Sequence, residues 1–201
     1  KSPINFFESN VKGTINLLEV VRSFWDNLSS DKRKNFRFVH ISTDEVFGSL
    51  GKHGKFSEES PYKPRSPYSA SKAASDHIVS AWNHTYGIPT LITNCSNNYG
   101  PYQYPEKLIP LAIFKAVNKE KIPIYGNGLN VRDWLYVEDH IDGILRVLTN
   151  GVIGKTYCIG GYGEITNIEI IRKICRFLDK FNYQKSFNHE NLIEFVDDRL
   201  G

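Results

Sequence analysis

FRFVHISTDEVFGS, residues 36–49, decides the fold. Its first half, FRFVHIS (36–42), is a short apolar run of β-formers, the pattern of a strand buried in a parallel sheet. Directly beyond it stand one hydroxyl and two adjacent carboxyls, Thr43, Asp44 and Glu45. In open α/β sheets ligands gather outside the carboxyl ends of the strands, so the triplet lies where chemistry is usually done.

Working outward, Ser2-Pro3 pairs an N-cap residue with proline at the first helical position. Phe7, Val11, Ile15, Leu18 and Val21 follow at helical spacing and predict a helix to about Trp25. DNLSSDKRKN (26–35) reads as a polar loop. Residues 48–65, rich in Gly, Lys, Ser and Pro, form another, and Ser66-Pro67 repeats the helix start before YSASKAASDHIVSAWNHTYG. PTLITNC (89–95) is the next strand, followed by the loop SNNYGPYQYPE and a helix of about Lys107 to Asn118. IPIYGNG, NVRDWLYVEDHIDGILRVL and the strand KTYCIGG then give a second βα run. A helix from Thr166 or Asn167 to about Phe181 and a short strand IEFV close the chain. Strands alternating with helices imply an α/β fold with a doubly wound parallel sheet and extra material attached.

The totals narrow the classes. At 201 residues and 40% hydrophobic side chains the chain carries one sizeable core or two modest ones. Twenty-five basic against 22 acidic residues leave a charge of +3, too slight to argue for nucleic-acid or membrane binding. Cys95, Cys158 and Cys175 have no metal-ligand spacing and read as reduced thiols of a cytoplasmic protein, so no metal is expected. No run approaches the ~20 apolar residues of a membrane span, and no charged start followed by an apolar stretch suggests a secretory signal. The chain starts at Lys1 and contains no Met, so it is expected to be a piece of something longer.

Tyr68 and Lys72 form a Tyr-x-x-x-Lys pair, placed on one helix face by i, i+4 spacing. Tyrosine has a reference pKa of about 10, so it is a poor base at neutral pH unless a nearby cation favours the phenolate. Lys72 is the candidate cation. The pair alone is weak evidence. The Ser-Pro helix start before it and the hydroxyl-bearing strand end upstream strengthen it.

With ISTDEVFG, SPYSASKAASDH, TNCSNNYGPYQYPEKLIP and RDWLYVEDH, that arrangement resembles the extended, nucleotide-sugar branch of the short-chain dehydrogenase/reductase superfamily. Within it the chain is similar to the dTDP-glucose 4,6-dehydratase family, along essentially its whole length. The resemblance implies a Rossmann-like doubly wound sheet lacking its N-terminal strands, with a smaller mixed α/β substrate-binding lobe. Residues 1–96 would be the C-terminal part of the NAD-binding domain and 97–201 mainly the nucleotide-sugar lobe, with about 137–160 returning to the first. Phe47 stands where the family commonly has tyrosine, which reads as a packing change. The family's Gly-rich dinucleotide fingerprint is absent. GGYGEIT carries Thr166 where the third glycine belongs, and GKHGK fails as a phosphate loop, so both read as turns.

The implied chemistry is NAD-dependent oxidation at C4, loss of water across C5–C6 and hydride return to C6, as in the lyases on the route to rhamnose. By resemblance, Tyr68 takes the C4 hydroxyl proton, Lys72 holds the nicotinamide ribose and lowers the tyrosine pKa, and Thr43 bonds the C4 oxygen. Glu45 is the base at C5, while a protonated Asp44 delivers a proton to the departing C6 hydroxyl. Asn98 would meet the nicotinamide and Asn97 the sugar diphosphate. Glu106, Lys107 and Leu108 match substrate-loop positions. Pro123, Ile124 and Tyr125 look like a wall against thymine, Arg132 faces the diphosphate, and Asn167 and Arg199 complete the nucleotide pocket. For Asn167 a plain helix N-cap is an equal reading. His40, His77, His84, His140 and Trp134 are assigned no chemistry. The resemblance also implies a homodimer through helices around 5–25 and 67–86. The alternatives are a UDP-sugar 4,6-dehydratase or 4-epimerase of the same branch, or an inactive fragment lacking the NAD fingerprint.

Overall fold

The computed structural model describes residues 2–50, 54–181 and 187–198. The chain divides into two compact units, Lys1–Ser96 with Glu138–Gly160, and Asn97–Val137 with Gly161–Gly201.

The first unit opens with α1 (Ile4–Phe6), a π-helical stretch at Phe7–Lys12 and α2 (Gly13–Asp26). Of the apolar stripe that predicts this helix only Leu18 is fully buried, against Val79 and Ile92. Phe7, Leu17, Val20 and Phe24 are exposed. The segment expected to be a polar loop forms a short helix, α3 (Ser30–Asn35). It has no apolar periodicity to announce it, but Ser29 is extended before it and Asp31 sits in its first turn, where a carboxylate favours the helix dipole.

β1 (Phe38–Thr43), β2 (Thr90–Cys95) and β6 (Thr156–Ile159) make a parallel sheet in the order β1-β2-β6. β2 is central and buried at all six positions, as a strand covered on both faces must be. The register pairs Thr43 with Cys95, so both strands end at one level. α4 (Pro67–Tyr86) starts at a reciprocal cap in which Ser66 and Ser69 satisfy each other's backbone N–H, with Pro67 in the first turn. Between β1 and α4, Asp44–Phe47 form a 3₁₀ turn closed by Gly48. Glycine is required there: φ is +91°, and a Cβ would lie 2.3 Å from the Lys63 carbonyl. Phe47 is buried against Phe56 and Tyr62, as the packing reading expects. α6 (Val137–Asn150) contributes Val147 to the buried set of this unit.

The second unit is mixed. β3 (Asn97–Tyr99) runs parallel to β5 (Val131–Tyr136), and β5 pairs antiparallel with β7 (Glu164–Thr166). β4 (Ile122–Tyr125) pairs with β8 (Ile193–Val196). Ala112 and Ala116 of α5 (Leu108–Val117) and Ile171 and Cys175 of α7 (Asn167–Phe181) close its core over Ile122 and Ile124. Two strands fall where a loop or a turn is expected, at Asn97–Tyr99 and within GGYGEIT. The turn before β7 has a structural job: Gly161 and Gly163 N–H donate to the two carboxylate oxygens of Asp133 at 2.8 and 2.7 Å.

Candidate active site

Thr43 ends β1 and caps the 3₁₀ turn that follows. Its Oγ1 accepts the Glu45 N–H at 3.3 Å and donates to Asp44 Oδ1 at 3.3 Å. The two carboxyls therefore leave the sheet in the first turn of a capped element, with Asp44 half-buried and Glu45 exposed.

Tyr68 and Lys72 lie one turn apart near the start of α4, both half-buried. The Tyr68 ring meets the edge of Phe6 at 5.6 Å between centroids. Lys72 Nζ donates to the Ile41 carbonyl at 2.8 Å, which ties the helix to the strand that carries the triplet. Burial pushes the Tyr68 phenol up to about 12, and Glu45 and Asp44 are among the charges that add to the effect. The triplet and the Tyr-Lys pair thus share one electrostatic site. The expectation that Lys72 lowers the phenol pKa does not hold in this state. One donor of the ammonium is held by a backbone carbonyl, and the charges that add to the rise of the phenol are negative. Burial also pushes Lys72 below its ordinary value, opposed by Asp76.

The remaining candidates lie in the second unit. Asn97 and Asn98 sit on β3 opposite Trp134 and Leu135 of β5. Glu106 and Lys107 are exposed before α5, and Leu108 is its first residue, half-buried against the core. Strand alternation separates the proposed thymine wall: Pro123 and Tyr125 share one face, whereas the Ile124 side chain is 1% exposed in the core and offers only its backbone. Arg132 is exposed on β5, its Nη1 donating to the Val131 carbonyl at 3.1 Å. Asn167 opens α7, but the capping role belongs to Thr166 and Glu169, which exchange backbone and side-chain bonds. The Asn167 Oδ1 is left buried with no hydrogen-bond partner among the described residues. Arg199 lies outside the described residues.

The residue that sequence reasoning missed is Asp76 of α4, 1% exposed. His40, assigned no chemistry from the sequence, places Nε2 3.1 Å from the Asp76 carboxylate. Asp76 stands in the stretch SPYSASKAASDH without a role assigned to it there, although its i, i+4 spacing from Lys72 puts it on the same helix face. Among the described residues no group of three or more His, Cys, Asp or Glu is placed to hold a metal ion, and no helix is long and apolar enough to cross a membrane.

A parallel sheet with a hydroxyl-carboxyl-carboxyl strand end and a Tyr-x-x-x-Lys helix beside it defines a Rossmann-like protein of the short-chain dehydrogenase/reductase class. The family model described as GDP-mannose 4,6 dehydratase matches residues 1–199, and the chain belongs to that family. A dTDP-glucose 4,6-dehydratase of Xanthomonas campestris is 54% identical over 202 residues, covering 100% of this chain and 58% of the relative. Two solved structures are similar. A Bacillus anthracis dTDP-glucose 4,6-dehydratase in complex with NAD is 47% identical, with a TM-score of 0.84 over 99% of this chain and 58% of that one. A Streptomyces venezuelae dTDP-glucose 4,6-dehydratase with NAD bound is 41% identical, with a TM-score of 0.84 over 98% and 56%. The chain thus spans somewhat over half the length of the relatives it matches.

Proposed function

We propose that the whole protein is an NAD-dependent dTDP-glucose 4,6-dehydratase, a lyase giving dTDP-4-keto-6-deoxyglucose, and that this chain carries its acid–base machinery. The observation that carries the reading is that the strand end bearing Thr43, Asp44 and Glu45 and the helix bearing Tyr68 and Lys72 lie in one unit, joined by the Lys72 Nζ bond to the Ile41 carbonyl. A dehydration at C5–C6 needs an oxidising pair and an eliminating pair on the same sugar, and the relatives' names agree with it.

The residues present fit the nicotinamide end of the cofactor. Lys72 has three N–H donors and uses one on Ile41, leaving two for ribose hydroxyls. Bound NAD supplies reversible storage of the hydride taken from C4, and its oxidised ring brings a positive charge. Tyr68, drawn to its phenolate by that positive charge, takes the C4 hydroxyl proton, and Thr43 Oγ1 bonds the C4 oxygen. Once C4 is a carbonyl the C5 proton becomes acidic; Glu45 removes it, Asp44 protonates the leaving C6 hydroxyl, and Glu45 returns its proton to C5 as the stored hydride goes back to C6. By resemblance, Asn98 serves the nicotinamide and Asn97 the diphosphate. Arg132 binds the diphosphate with its planar fork, and Asn167 with Arg199 holds the nucleotide. The buried, unpartnered Asn167 Oδ1 supports that last role. Glu106, Lys107 and Leu108 serve the sugar, and Pro123 and Tyr125 flank the base. The protein works as a cytoplasmic homodimer, and the exposed Leu17, Val20 and Phe24 of α2 support the dimer.

The test is product analysis of the whole protein with NAD and dTDP-glucose. The 4-keto-6-deoxy sugar is expected, and Tyr68→Phe is expected to abolish it. A 4-epimer as the product, or full activity in Tyr68→Phe, contradicts the reading.

A further inference from the structure

The buried carboxylate of Asp76 has no part in the chemistry above, yet three side chains donate hydrogen bonds to it. Ser42 Oγ donates to its Oδ2 at 2.8 Å, Tyr62 OH at 2.9 Å and Asn94 Nδ2 at 3.3 Å. His40 Nε2 lies 3.1 Å from Oδ1 and 3.3 Å from Ser75 Oγ. The partners come from β1, from β2 and from the loop before α4. Asn94 Nδ2 also donates to the Thr43 carbonyl at 3.0 Å, so one amide group links Asp76 to the residue that ends β1.

Burying a carboxylate is unfavourable unless hydrogen bonds replace its water, and a well-packed apolar side chain often serves stability as well or better. What an apolar side chain cannot supply is directional bonding. Asp76 gathers donors from both strand ends onto the helix face that carries Lys72 one turn away, while Lys72 reaches back to Ile41 on β1. We infer that Asp76 is a positioning residue, the buried carboxylate that ties the carboxyl ends of β1 and β2 to the Tyr68–Lys72 helix and so sets Thr43 against the sugar for oxidation. It touches neither sugar nor cofactor.

This inference rests on the reading of Tyr68, Lys72 and Thr43 as the oxidising set. Asp76→Asn keeps the shape but removes the charge that the three donors on Oδ2 share and puts an amide NH2 in place of one acceptor oxygen. In the whole protein, kcat for dTDP-glucose is expected to fall by about 100-fold, the scale of loss that a small misplacement of reacting groups causes, with KM for the sugar and for NAD unchanged. In a Thr43→Val background the same substitution is expected to cost much less, because the group it positions is already gone. Ser42→Ala removes one donor and is expected to show the same split in milder form, which keeps the test decisive if the Asn variant does not fold. An unchanged kcat, a rise in KM matching the fall in kcat, or full additivity with Thr43→Val overturns the inference. Wild-type turnover and its loss in Tyr68→Phe report separately on the proposed function.

Discussion

Tyr68 shows how far a motif leads and where it stops. The spacing Tyr-x-x-x-Lys places both side chains on one face, and the structure has them there. The protonation of the phenol was not legible, because it depends on burial and on which charges surround the ring. The same holds for Asp76, whose hydrogen-bond partners are scattered from Ser42 to Asn94, and for Ile124, where the strand was legible but the buried face was not. A pH dependence follows. Burial raises Tyr68 from its ordinary 10.0 to about 12 and Cys175 from 9.0 to about 11, and it raises Tyr62 as well. Each group favours its neutral form in the folded state. Its contribution is whole below the unfolded pKa and is lost as pH rises through the folded one. The melting temperature is therefore expected to fall from about pH 9 upward, and Tyr68→Phe to melt with a flatter pH dependence between about 10 and 12. Thermal denaturation of both proteins across that range checks it, and parallel curves contradict the assignment.

Elements with strong local chemistry were legible. Ser66-Pro67 announced α4, and FRFVHIS announced β1 within two residues of its start. Elements that exist through their partners were not. Asn97–Tyr99 and Glu164–Thr166 are three residues each, too short for alternation to register, and are strands because β5 lies between them with both edges free to pair. The turn before β7 looks in sequence like a failed dinucleotide loop. In the structure its glycines let the backbone close on Asp133 and on the Trp134 carbonyl. A Cβ at Gly161 would stand 2.3 Å from that oxygen, which no rotamer can relieve. Gly161→Ala is expected to destabilise the protein by about 1–3 kcal/mol, the usual cost of overpacking. Denaturant unfolding measures it, and a change within error would mean that the turn is looser than described.

At the scale of the whole molecule, the sequence divides its chemistry between two units. The proposed acid–base residues and the Asp76 network lie in the first, and the proposed nucleotide contacts Arg132 and Asn167 in the second. The first set was picked out by the strand end and by i, i+4 spacing, and its roles came from the resemblance. The second came from resemblance alone, since asparagines and an arginine on short strands carry no reading of their own. The central claim is that oxidation by Tyr68 and Lys72 precedes elimination by Glu45 and Asp44, and rapid mixing of the whole protein's Glu45→Gln variant with NAD and dTDP-glucose separates the two. The amide is nearly isosteric with the acid, so oxidation survives, while loss of the base is expected to slow the next step by ~10²–10⁴. The near-ultraviolet absorbance of reduced nicotinamide is expected to rise and persist, with no exchange of the C5 hydrogen into solvent deuterium. Normal substrate binding without any rise in absorbance would contradict the account, because Glu45 would then act in the first step.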